Sequence, residues 1–189
     1  MQLLVGCAAM GVPSTDDPAR KLGWAQELVE NQDRPIPAER LIRESIDIYQ
    51  EQKDEMGLAR AYRVYGIFFK DKAINKWQKF YQETGFLDKS ATYETRFPKA
   101  LEYFEKSLSL SMKNEDIDMP PNLYLLIAFT YQNMRQPEAA CLAFDKSISA
   151  HKIMLAESPE ADPKASLPKQ YSSFEEAVND FKKRAGCKS

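Results

Sequence analysis

The stretch YLLIAFTYQNMRQPEAACLAFDKS, residues 124–147, decides the fold class. Tyr124, Ile127, Ala128 and Tyr131 recur at helical spacing, and Ala140, Phe144 and Ser147 do the same on a second segment. Large and small side chains alternate along this frame, so two antiparallel helices can approach closely. The frame recurs upstream, with Tyr62, Tyr65, Gly66 and Phe69 on a first helix and Ala100, Phe104 and Ser107 on a second. A weaker copy, Ala38, Leu41, Ile42, Ser45, Ile46 and Tyr49, puts Ile42 in the aromatic slot.

These positions resemble the tetratricopeptide repeat, well over Asp54 to Leu155 and poorly over Pro18 to Gln52. The resemblance implies an all-α fold: a short right-handed solenoid of about three helical hairpins, with a C-terminal capping helix and a helical insertion in the second repeat. Composition agrees, since only 7 glycines and long stretches free of Gly and Pro suit helices better than a many-turned β domain. With 26 basic and 28 acidic residues the charges nearly cancel, which argues against nucleic acid held through its phosphates.

The expected organisation is a tether over 1–15, a repeat domain over 16–156, a proline-containing linker over 157–170 and a capping helix over 171–186. Asp16 or Asp17 can cap the first helix, with Pro18 in its first turn, and Ser173 with Glu176 forms a capping box before the last. The small residues Ala128 and Ala140 lie 12 positions apart, whereas Gly66 and Ala100 lie 34 apart, so the second repeat carries 22 extra residues. This insert, about 72–97, holds Trp77, Phe80, Tyr81, Phe86, Tyr93 and Phe97 among lysines. The helical spacing of Trp77, Phe80 and Tyr81 predicts that the preceding helix runs on to about Glu83 and stops at Gly85, forming a long arm. Trp77, Phe80, Tyr81 and Phe86 then either contact a partner or pack the arm against its neighbour.

The N-terminal run Leu4-Val5-Gly6-Cys7 resembles a bacterial lipobox, in which the cysteine thiol receives diacylglycerol. That resemblance implies lipidation of Cys7, and Ala8 after it resembles the outer-membrane sorting signal. Only six residues precede Cys7, too few for a secretory signal, so the start reads as truncated or trimmed. Cys141 and Cys187 are expected to be two thiols, since pairing would require the basic tail to fold back.

Nothing in the motifs points to catalysis, a cofactor or a metal. The single histidine, His151, reads as a solvated residue at a helix C-terminus, and there is no G-x-S-x-G, P-loop or G-x-G-x-x-G. In tetratricopeptide arrays the first helix of each pair lines a concave groove. Carried over, that face comprises Arg60, Arg63, Ile67 and Lys70, with Asn122, Leu125, Phe129, Gln132 and Asn133. It resembles loosely the carboxylate clamp of chaperone-binding members, without the full lysine and asparagine pattern, and implies a peptide or protein partner with an acidic group or C-terminal carboxylate. The leading reading is a scaffold lipoprotein of the cell envelope, facing the periplasm and touching membrane only through its lipid. Its alternatives are a cytoplasmic adaptor and a small envelope hydrolase, and homodimerisation through insert aromatics stays open.

Overall fold

The computed structural model describes residues 11, 14–159 and 170–188, and among these there are nine helices and no strand. The lipobox cysteine Cys7, most of the tether and the middle of the proline linker lie outside the described residues. No helix among the described residues is long and apolar enough to cross a membrane.

Local chemistry sets the helix ends. α1 (Pro18–Glu30) starts where the Asp17 carboxylate accepts from the N–H groups of Ala19 at 2.9 Å and Arg20 at 3.2 Å. α2 (Pro35–Gln52) opens on a proline and ends at Lys53, whose φ of 55° lies in the left-handed region. α3 (Glu55–Lys70) is capped by Asp54, which accepts from Gly57 N–H at 2.8 Å. The insert forms α4 (Lys72–Lys76) and α5 (Gln78–Thr84), followed by an irregular stretch that leads to α6 (Arg96–Lys113). α7 (Met119–Asn133) and α8 (Pro137–Glu157) make the last pair, and α9 (Phe174–Arg184) follows the linker.

The principal packing pairs are α1 with α2, α3 with α6 and α7 with α8, while α2 with α3, α6 with α7 and α8 with α9 join successive pairs. Short connections over 31–34 and 134–136 make the first and last pairs antiparallel hairpins. Small residues set the distance of approach: Ala38, Ala100, Ala128 and Ala140 are fully buried, and a Cβ added to Gly66 would stand 2.5 Å from the Phe104 ring.

A recurrent serine closes each pair. Buried Ser107 and Ser147 donate across the pair to the carbonyl oxygens of Ala59 and Pro121, each at 2.7 Å, and buried Ser45 shares its hydroxyl between Leu41 O at 2.8 Å on its own helix and Pro18 O at 3.0 Å across the pair. The Ser107 bond spans 48 residues and the Ser147 bond 26, a difference of 22 that equals the length of the insertion. The insert therefore leaves the closure of its hairpin unchanged.

Three expectations are overturned. α3 stops at Lys70 and does not run on to Glu83, because Asp71 turns extended with ψ 148° and its carboxylate caps the next helix through Ala73 N–H at 2.7 Å. Gly85, with φ 74°, does end the insert's helical part. No arm projects, since Ala73, Ile74, Tyr81, Phe86 and Ala91 are all buried in the core. Finally, α9 packs on α8 and carries the tail back, so Cys141 and Cys187 form a disulfide with Cα atoms 5.6 Å apart. The α9 cap matches its signature at Ser173, which accepts from Glu176 N–H at 3.1 Å, but the Glu176 carboxylate reaches Ser172 N–H, one residue earlier than a standard box.

Candidate functional site

The expected groove face assembles only in part. Arg60, Arg63, Ile67 and Lys70 follow one side of α3, which touches α7. Lys70 is not free to meet a ligand: its Nζ donates to the Leu126 carbonyl at 3.4 Å and sits about 6 Å from the rings of Phe104 and Phe129. Burial pulls its pKa down to about 8. Phe129 is covered by Phe181 of α9 at 5.2 Å between centroids, and Ile67 lines a narrow seam with Ala25, Val29 and Ile42. Asn122, Leu125 and Gln132 are half-buried, and Asn133 is exposed. What remains for an acidic group is Arg60, which is exposed, and Arg63, whose Nε is buried without a hydrogen bond. Burial and the neighbouring Arg60 charge hold the Arg63 guanidinium below the usual arginine range.

The insert aromatics divide differently. Tyr81 and Phe86 stack at 4.3 Å and are buried, so of the two readings packing holds for them and partner contact does not: they fill the core beside Phe68 and Phe69. Phe80 is half-buried between Trp77 and Tyr81. Trp77 alone stays open, with its indole N–H donating to Asp33 O at 3.0 Å.

Glu39, which sequence reasoning passed over, holds the insert in place. It is 3% exposed, and its Oε1 accepts from Tyr65 Oη and from Leu87 N–H, each at 2.8 Å. One carboxylate thus ties α2, α3 and the insert together. Burial pushes its pKa up to about 7, against the lowering effect of those hydrogen bonds. The signal was its register, three residues before Ile42 and seven before Ile46 on the buried stripe. Glu39 also borders a cavity of about 290 Å³ with Ile36, Arg40, Phe80, Leu87 and Lys89, but it is the one carboxylate in that lining. Paired-carboxylate hydrolysis needs a second.

A cavity of about 560 Å³ lies on α6, α7 and α8 and is lined by Met112, Ile117, Pro120, Tyr124, Ala150 and Ile153 with acidic residues at its edge. A second, of about 290 Å³, continues along the same helices past Leu108, Ile127, Tyr131 and Leu142. Sequence reasoning missed this cleft because Met112, Leu142 and Ile153 are not frame positions. The signal was there, in apolar residues that the frame leaves unused.

His151 corrects another expectation. It is buried and stacks on Phe174 at 4.5 Å, because α9 covers the end of α8 where solvent was expected. Among the described residues no group of three His, Cys, Asp or Glu side chains could hold a metal ion. Comparison with protein-family models, with curated proteins and with solved structures finds no match.

Proposed function

We propose that this chain is a non-catalytic protein-interaction scaffold, a short tetratricopeptide-like solenoid held by a lipid on Cys7 at the periplasmic face of a bacterial outer membrane. The observation that carries the reading is the hairpin closure repeated three times, by Ser45, Ser107 and Ser147. Repeated closure builds helix pairs in series, and such arrays offer extended surfaces in place of one enclosed catalytic pocket. The buried Glu39 carboxylate supports it too, since Tyr65 and Leu87 engage it structurally. Arg60 and Arg63 stay available for an acidic group on a partner.

The Cys141–Cys187 disulfide favours an exported chain over a cytoplasmic adaptor, because such bonds persist in oxidising compartments. Two measurements test the proposal. Metabolic labelling with palmitate should mark the protein and fail in Cys7→Ala; absence of label in the natural sequence removes the anchored form. Photo-crosslinking residues placed at Arg60, Asn133 and Leu142 should give discrete protein adducts in cells, and no adduct at any of the three removes the scaffold.

A further inference from the structure

We infer that the outer cleft between α6 and α8 is a docking site for a cationic amphipathic helix. The inference rests on the scaffold reading and names the partner for a surface away from Arg60 and Arg63.

α8 is apolar on two sides. One side, with Ala140, Phe144 and Met154, is buried. The other leaves Leu142 at 58% and Ile153 at 56% exposure, and Met112 of α6, at 62%, lines the same cavity as Ile153. Large apolar side chains so exposed along a single cleft mark an interaction surface. The two cavities of the cleft share Tyr124 and Lys146, so they form one trough along α8 from Ala139 to Glu157, roughly 27 Å at 1.5 Å per residue.

The shape of the occupant follows from this lining. An extended peptide would desolvate its backbone amides against a mostly apolar floor with few groups to satisfy them. A helix satisfies its own backbone and can place anchors at i, i+3, i+4 and i+7, on either side of the Tyr124 and Lys146 divide. Charge then selects the chemistry. Glu105, Glu115, Asp116 and Glu157 edge the trough against Lys146 alone. Among the described residues Glu105, Glu115 and Glu157 make no ion pair, while nearby Lys106 and Lys113 are taken by Glu102 and Glu55. An apolar floor with an unpaired acidic rim is the complement of a helix carrying leucine-like anchors flanked by Lys or Arg.

The test uses the full chain and fluorescence anisotropy with three labelled 18-residue peptides. The first is a leucine–lysine helix with one apolar face, the second its scrambled isomer and the third a leucine–glutamate counterpart. The leucine–lysine helix should bind at least tenfold tighter than the other two. Leu142→Asp with Ile153→Asp should weaken it more than tenfold, and Glu105→Lys with Glu115→Lys and Glu157→Lys should shift preference to the glutamate peptide. Lysine at Glu30, Asp47 and Glu51, exposed acids on α1 and α2, should leave affinity within about twofold. Equal binding of the scrambled peptide, or indifference to the Leu142 and Ile153 changes, overturns the inference. So does a dimer in sedimentation velocity, or binding to phosphatidylglycerol vesicles, that the same pair of changes abolishes. Failure here with crosslinking at Arg60 and Asn133 intact would leave the scaffold reading standing.

Discussion

The second and third hairpins share one closure and differ in what covers them. In the third, α7 and α8 join through a three-residue connection, and their outer side is left open with Leu142 and Ile153 exposed. In the second, α3 and α6 are separated by an insert that folds back and fills space against α2 and α3 with Ile74, Tyr81 and Phe86. The Ser107 and Ser147 bonds are equally short at 2.7 Å, so the frame tolerates a long connection without losing its register. Closing a longer loop costs little, since the entropy grows only with the logarithm of its length. The insert supplies core to its hairpin, whereas the regular hairpin receives its cover from α9 and a disulfide.

That contrast can be broken from either side. The largest effect is expected from Phe86→Ala, which removes a fully buried ring stacked on Tyr81 and should cost about 4 kcal/mol in urea unfolding. A cost below about 1 kcal/mol would mean that the insert is not core. On the other hairpin, reducing the Cys141–Cys187 bond frees a loop of 46 residues in sequence separation and should cost about 3 kcal/mol. Thermal melting with and without reductant reads this directly, and an unchanged midpoint would show that α9 holds α8 without the bond.

Glu39→Gln sharpens the comparison through pH. The folded pKa is raised from 4.5 to about 7, so the native state keeps a proton that the unfolded chain gives up. The associated stability is present below pH 4.5 and is lost as pH rises to about 7. Glutamine keeps an acceptor for Tyr65 and Leu87 without the buried charge. The variant should match the natural protein near pH 4 and be more stable by roughly 2–3 kcal/mol at pH 8. A difference independent of pH would refute the burial of charge at this position. The smallest expected effect is that of Ser107→Ala and Ser147→Ala, about 1 kcal/mol each. Matching losses support equivalent closures; a gap above about 1 kcal/mol between them would break the equivalence of the two hairpins.

Much of the helical order was legible in the chain. The Ala-large-Ser frame at residues 100–107 and 140–147 located the second helices, and Pro18, Gly85 and Ser173 marked real boundaries. The site was less legible. Arg60 and Arg63 remain accessible in part, but Lys70 lies over two rings and Phe129 lies under α9, facts set by residues far away in sequence. Trp77, Phe80 and Tyr81 keep helical spacing because they belong to one short helix and its N-cap, and that spacing carries no sign of the breaks at Asp71 and Trp77 that separate it from α3.

The sequence by itself determined the helices outside the insert, how they pair and where the extra residues enter. Helix periodicity and capping are local, and the spacing of small and large residues is enough to specify a close hairpin. Only the tertiary structure decided what each surface became. It buried Glu39, turned the insert inward, brought Cys187 to Cys141 and left Leu142 and Ile153 uncovered. Burial depends on which neighbour reaches a face, and periodicity names the face without naming what covers it.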